Sequence, residues 1–259
     1  MGVDLIGSGD KIVAIVEVDE DSKRNPVDVA NEIMSENKNV KTVLERVHGV
    51  RGKFRLREHK IIVGDEDTEV AHKEYGYTLK MDPRFVYFSP RESTIRQHIS
   101  KQVRPDEKIL VMFAGVGPYP VCICKTQPKV REVVAVEANP KAVDYMRENV
   151  RINKLSHMVT PLGGDVNEVC IEFKGEFDRV IMPMIEAREY LELASRCTKP
   201  SGTIYVYMVS DESNLYNDCK EFVRDAFKRI GRAYDVVEER KIALYSPGKW
   251  KVLIALRLK

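Results

Sequence analysis

Between Lys11 and Val18 the chain runs Lys-Ile-Val-Ala-Ile-Val-Glu-Val, a β-branched stretch that predicts a buried strand. Asn25-Pro26 then opens a helix through Met34, with Val27, Val29, Ala30, Ile33 and Met34 as its apolar positions. Extended stretches follow over 41–47 and 54–63, and Gly64-Asp-Glu-Asp67 is a polar turn. Alternation from Glu69 to Met81 predicts one further strand. Residues 1–82 are therefore expected to form a small α+β domain.

At Asp82-Pro83 the pattern changes. A helix is predicted over 93–103, then strands over 108–113, 132–137, 177–182 and 202–208 alternate with helices over 140–152 and 186–197. A longer amphipathic helix spans 214–230, and 235–245 with 250–258 form a hairpin turning at Ser246-Pro-Gly-Lys249. Strands alternating with helices imply a parallel sheet, so residues 83–259 are expected to be a second, α/β domain.

Hydrophobic residues at 43% and charged residues at 32% allow a sizeable core and exclude global disorder. The net charge of +2 is uninformative, but it is unevenly spread. Residues 1–82 carry 13 basic and 17 acidic side chains and the remainder 29 and 23. Locally, 41–60 carries seven basic against two acidic, 84–104 five against one, and 223–259 ten against four. Such stretches suit phosphate binding if they share a face, and solvated surface if they do not. Tyr75, Tyr77, Phe85, Tyr87 and Phe88 are candidates to stack a splayed base, with core packing the preferred reading for Phe85 and Phe88. Five cysteines without a C-x-x-C, and single histidines at 48, 59, 72, 98 and 157, predict neither disulfides nor a metal site. With no membrane span or signal sequence, a cytoplasmic monomer is expected.

The first alternating strand ends in Phe113-Ala-Gly115-Val-Gly117-Pro-Tyr119. Glycines there permit a tight strand-to-helix turn and close approach of a ligand to backbone. Glu137 follows at the end of the next strand, where a carboxylate can accept both hydroxyls of a ribose. Asp165, after Gly163-Gly164, can meet an adenine amino group. Tyr119 in place of a third glycine argues against a diphosphate and favours S-adenosylmethionine, held by Phe113, Gly115, Gly117, Tyr119, Glu137 and Asp165.

Tyr87-Phe-Ser-Pro-Arg91, Met112-Phe-Ala-Gly-Val-Gly-Pro-Tyr119, Glu137-Ala-Asn-Pro140, Glu148-Asn-Val-Arg-Ile-Asn-Lys154, Gly164-Asp165, Asp178-Arg-Val-Ile-Met182 and Tyr245-Ser-Pro-Gly-Lys-Trp250 resemble the archaeal-type tRNA guanine-37 N1-methyltransferases. The wybutosine-pathway aminocarboxypropyl transferases share much of this pattern. The resemblance covers nearly the whole chain, whose Met1 falls at the start of the family's second domain. It implies a class-I methyltransferase Rossmann domain, to which the terminal hairpin also points, preceded by the small α+β domain. It also implies S-adenosylmethionine as cofactor and the anticodon stem-loop of tRNA as partner. In residue terms it puts Arg55 of Gly52-Lys-Phe-Arg55 near the reacting base, and Arg91 on phosphate or on the active-site acid.

Three departures fall on the chemistry. Ile95 stands where the family has its proton acceptor, Pro183 where it has an asparagine, and Val111 where it has an aspartate. Glu92, Glu186 and His98 are the candidates to replace that base, Glu92 because three residues before Ile95 it would share a helix face with it, although a solvated helix-start carboxylate is the preferred reading of Glu92. A non-catalytic tRNA-binding relative is the alternative that Ile95 and Pro183 motivate.

Overall fold

The computed structural model describes residues 2–17, 24–51 and 56–259, with the backbone alone for 48–51 and 56–58. Strands β1 (Val3–Ser8) and β2 (Lys11–Val16) form an antiparallel hairpin. Helix α1 (Pro26–Glu36) starts at Asn25, whose side chain accepts a hydrogen bond from the Val27 amide at 2.9 Å. It returns the chain to β3 (Val40–Arg51), parallel to β2, and β4 (Leu56–Gly64) completes a sheet of order β1-β2-β3-β4. The unbroken apolar run of β2 reflects burial on both faces: Ala14 and Val16 pack under α1, while Val13 and Ile15 enter the main core.

The alternation from 69 to 81 is two strands rather than the single one expected. β5 (Val70–Glu74) and β6 (Tyr77–Met81) pair antiparallel around Tyr75-Gly76, both at positive φ (39° and 83°), the geometry of a two-residue hairpin turn. Tyrosine is a poor signal for such a turn, so the sequence reads straight through it.

The second sheet has seven strands in the order β12-β13-β11-β10-β7-β8-β9. β7 (Lys108–Met112), β8 (Glu132–Glu137), β9 (Val159–Gly163), β10 (Phe177–Met182) and β11 (Thr198–Asp211) run parallel. β12 (Tyr234–Ser246) and β13 (Lys249–Leu258) form the expected hairpin, but its second strand lies between β11 and β12, antiparallel to both. Helices α2 (Ser93–Lys101), α3 (Pro118–Thr126) and α4 (Pro140–Ile152) cover one face. The short α5 (Val166–Val169), α6 (Leu191–Cys197) and α7 (Asn217–Ile230) cover the other. The predicted helix over 186–197 is a 3-10 turn, Ile185–Tyr190, running into α6.

The β5–β6 hairpin is fastened to α4 by two asparagines one helical turn apart. Asn149 accepts from the Lys80 amide (2.6 Å) and donates to the Lys80 and Val116 carbonyls (3.0 and 2.9 Å). Asn153 accepts from the Thr78 amide (3.2 Å) and donates to the Thr78 carbonyl (2.7 Å). Residues 78 and 80 face the same way on β6, so an i, i+4 pair substitutes for a neighbouring strand. Among the described residues no helix is long and apolar enough to cross a membrane.

Candidate active site

Strand order reverses between β7 and β10, one leading to β8 and β9 and the other to β11. A crevice opens there at the carboxyl ends of the parallel strands. The loop after β7 lines it, with Phe113, Gly115 and Gly117 at φ of 57°, 56° and 85°. A side chain on Gly117 would come within 2.9 Å of Met146 Cγ on α4, so this glycine serves both the turn and the helix contact. At Gly115 an added Cβ would approach nothing nearer than the Tyr87 carbonyl at 3.7 Å, so the backbone is open to a ligand.

Glu137 ends β8 with both carboxylate oxygens tied to backbone: the Gly115 amide donates to Oε2 and the Asn139 amide to Oε1, each at 2.8 Å. Each oxygen keeps lone-pair capacity, and the orientation is set in advance for a vicinal diol. The Gly164 amide donates to the Glu137 carbonyl at 2.9 Å, drawing the Gly163-Gly164-Asp165 loop alongside. Asp165 Oδ1 accepts from the Asn167 amide (2.9 Å) and side chain (3.1 Å), capping α5. The three sequence-predicted cofactor elements thus converge. Tyr119 is a partial exception. It lines the cleft, but its hydroxyl is buried against that of Tyr207, and burial holds its ionisation well above the ordinary phenol range.

The opposite wall is Tyr87, Phe88, Ser89, Glu92 and Pro183. Phe88 is core, as expected, whereas Phe85 is exposed, which corrects its core reading. Tyr87 is also exposed, Tyr77 is buried and Tyr75 lies on the exposed hairpin turn. Glu92 is not the solvated carboxylate of its preferred reading, which the fold corrects: it is 6% exposed and accepts from Lys251 Nζ at 2.5 Å on Oε1. The Tyr87 hydroxyl donates to the same oxygen at 3.4 Å. Beneath it, Arg96 and Glu74 form a buried pair (Nη2 to Oε1, 2.5 Å), and burial and the Arg96 guanidinium act oppositely on a Glu74 carboxyl that ends below its usual range. Lys251 escaped the sequence reading. The only signal was a lysine leading directly into the continuous apolar run Val252-Leu-Ile-Ala-Leu256.

The remaining predicted residues lie elsewhere. Arg91 makes a two-point ion pair with Asp4 of β1 (2.5 and 2.7 Å), which also accepts from Arg46 (3.2 Å). Ile95 and His98 line a different hollow with Arg91, Thr94, Arg240, Lys241 and Ile242. Glu92 and Ile95 therefore do not share a wall, because Glu92 belongs to the 3-10 turn Pro90–Glu92 that precedes α2. His98 is engaged with Glu238 at 2.6 Å. Glu186 is exposed, and Arg55 lies outside the described residues. Among the described residues no group of three or more His, Cys, Asp or Glu could hold a metal ion.

A sheet of this order with one antiparallel strand, a glycine turn after the first parallel strand and a carboxylate ending the second define a class-I methyltransferase fold. Comparison with known proteins narrows the class. The TRM5/TYW2 methyltransferase domain matches residues 70–237. A tRNA (guanine(37)-N(1))-methyltransferase Trm5b of Pyrococcus abyssi is 35% identical over 98% of this chain and 74% of its own. A tRNA(Phe) (4-demethylwyosine(37)-C(7)) aminocarboxypropyltransferase of Methanocaldococcus jannaschii is 31% identical over 98% of this chain and 97% of its own. Among solved structures, the complex of aTrm5 with tRNALeu superposes with a TM-score of 0.85 at 27% identity, covering 100% of this chain and 72% of that one. M. jannaschii TYW2 in complex with AdoMet gives 0.75 at 27% identity, covering 100% and 99%. The chain belongs to the TRM5/TYW2 methyltransferase family.

Proposed function

We propose that this protein transfers the methyl group of S-adenosylmethionine to N1 of guanine 37 in tRNA, acting as a cytoplasmic monomer. The observation that carries the reading is one cleft lined by both the buried Glu92 carboxylate and the open glycine loop, whose Gly115 amide is bound to the preset Glu137 carboxylate. The residues fit the cofactor. The site offers a diol acceptor and open backbone, and among the described residues lining the crevice the arginine, Arg96, is committed to Glu74 rather than free for a diphosphate.

Bound there, S-adenosylmethionine supplies a methyl carbon made electrophilic by its sulfonium. Glu137 holds the ribose, Asp165 the adenine amino group, and Phe113 and Pro183 close the walls around the methionine end. Glu92 takes the N1 proton as N1 attacks, a role that Ile95 cannot fill. Exposed Tyr87 and Phe85 offer ring faces to the unstacked base. Residues 1–82 form the target-side domain. The basic stretches it shares with the Rossmann domain meet around Asp4, where Arg46 and Arg91 converge, and in the hollow that Arg91 shares with Arg240 and Lys241. Such a surface suits the phosphates of the anticodon stem-loop.

A second reading rests on Pro183, which stands where the methyltransferases have an asparagine, and on the 31% identity to an aminocarboxypropyltransferase over 98% of this chain. In that case a ring carbon of a tricyclic guanine derivative attacks the aminocarboxypropyl arm of the same cofactor. Incubation with S-adenosylmethionine labelled in the methyl group or in the carboxyl carbon, and with tRNA carrying either guanine or the tricyclic intermediate, separates the two. Methyl label on guanine-37 tRNA is expected. Carboxyl label on the tricyclic tRNA would move the chain to the second reading. No label from either, despite cofactor binding, would make it a non-catalytic tRNA-binding relative.

A further inference from the structure

Side chains of β13 alternate between the two cores. Val252, Ile254 and Leu256 pack toward α6 and α7, whereas Leu253 and Ala255 join Tyr205 and Tyr207 under α2 and α3. By period, Lys251 belongs to the second row. It is 8% exposed, its ammonium lies 4.7 Å from the centroid of the Tyr207 ring, and its Nζ meets Glu92 at 2.5 Å. Because β13 is antiparallel to β11, its first residues lie beside the last residues of β11, with Lys251 opposite Val209. That is the edge of the sheet at which the glycine loop and Glu137 sit.

Taking both charges out of water costs several kcal/mol each, and the arrangement gains only where the geometry is good. Among the described residues no second cation is hydrogen-bonded to Glu92, although Arg96 lies near enough to feel its charge. Arg96 on α2 is paired with Glu74, Tyr87 contributes a hydroxyl on the same oxygen as the lysine, and Tyr119 on α3 and Tyr207 on β11 are occupied with each other. Without the ammonium, Glu92 Oε1 keeps only the long Tyr87 contact, and a buried carboxylate charge is left without a partner of its own.

We propose that Lys251 is a positioning residue for proton transfer: its ammonium offsets the buried Glu92 charge and fixes Oε1, leaving Oε2 to receive the proton of the target base. This rests on the reading of Glu92 given above. In the step, the N1–H bond breaks and its proton passes to Glu92 Oε2. The N1 electron pair forms the bond to the methyl carbon, and the carbon–sulfur bond breaks with its pair going to sulfur, which leaves as a neutral thioether. Lys251 stays protonated throughout, and Glu92 returns its proton to solvent.

The test compares wild type with Lys251→Met and Lys251→Arg. One measurement is the titration midpoint of Glu92, followed by carboxyl carbon-13 NMR and assigned with Glu92→Gln. The other is single-turnover methyl transfer as a function of pH. In Lys251→Met the midpoint of Glu92 and the acid limb of the rate profile should both rise by about one pH unit or more, and Lys251→Arg should restore both. A purely structural lysine would lower stability and leave both where they are in wild type, which overturns the proposal. Should Lys251→Met not fold, Lys251→Gln carries the same expectation. A wild-type chain that transfers no label overturns the functional reading and the lysine's role with it. That failure is told apart from failure of the lysine alone, in which wild type transfers label and the variant's acid limb coincides with it.

Discussion

Glu137 does two jobs with one carboxylate. Accepting from the Gly115 and Asn139 amides, it braces the glycine turn against the loop that opens α4, and in the proposed function the same two oxygens receive the ribose hydroxyls. Preorganisation of this kind lowers the cost of fixing a polar group when the ligand arrives. Calorimetry on Glu137→Ala should therefore show S-adenosylmethionine affinity weakened by about 1–3 kcal/mol, the scale of hydrogen bonds to a charged group. Unchanged affinity would remove Glu137 from the cofactor site. At this scale the glycines, Glu137 and Asp165 were legible because each must stand at a fixed place relative to a strand end. The Glu92–Lys251 pair was not, because its members lie 159 residues apart and only folding makes them neighbours.

Among the elements, the β5–β6 hairpin and α4 show how a motif can be read as a resemblance without its mechanism being visible. Glu148-Asn-Val-Arg-Ile-Asn-Lys154 marks the family in sequence. Its physical content is that Asn149 and Asn153 give the backbone of β6 the partners a further strand would have supplied. Asn149→Ala leaves the Lys80 amide and carbonyl and the Val116 carbonyl, which lies in the glycine loop itself, without these partners. The loss should be about 3 kcal/mol or more of unfolding free energy, measured by urea titration, the low end of ~1–3 kcal/mol for each of three groups left unsatisfied, because the two Lys80 groups are only part-buried. A loss below about 0.5 kcal/mol would mean that water replaces the asparagine.

For the molecule as a whole, Asp4 is where the four-stranded sheet is tied to the turn that carries Glu92. Burial pushes the Asp4 carboxyl up, but the Arg91 and Arg46 guanidiniums outweigh it and the group ends below its ordinary value. A carboxylate lowered on folding contributes stability that is complete above its unfolded pKa of about 3.9 and is lost as pH falls through the lower folded value. Asp4→Asn should thus be less stable than wild type at neutral pH by about 1–2 kcal/mol, a modest figure because Arg91 is half exposed. Thermal melts of the two proteins should converge as pH falls below about 4. A gap that stayed constant with pH would show that the pair does not couple the two parts electrostatically.

Local pattern by itself determined the strand–helix alternation, the glycine turn, the acidic residue ending the second parallel strand and the terminal hairpin. Each is specified by neighbours within a few positions, through periodicity, capping or turn chemistry. Tertiary structure alone decided that β13 slots between β11 and β12, that β5 and β6 are two strands and that Phe85 faces water. It also decided that Glu92 is a buried, lysine-bound carboxylate, and that Ile95 lies in another hollow altogether. Those outcomes depend on which surfaces meet, and burial is a property of the contact between distant segments.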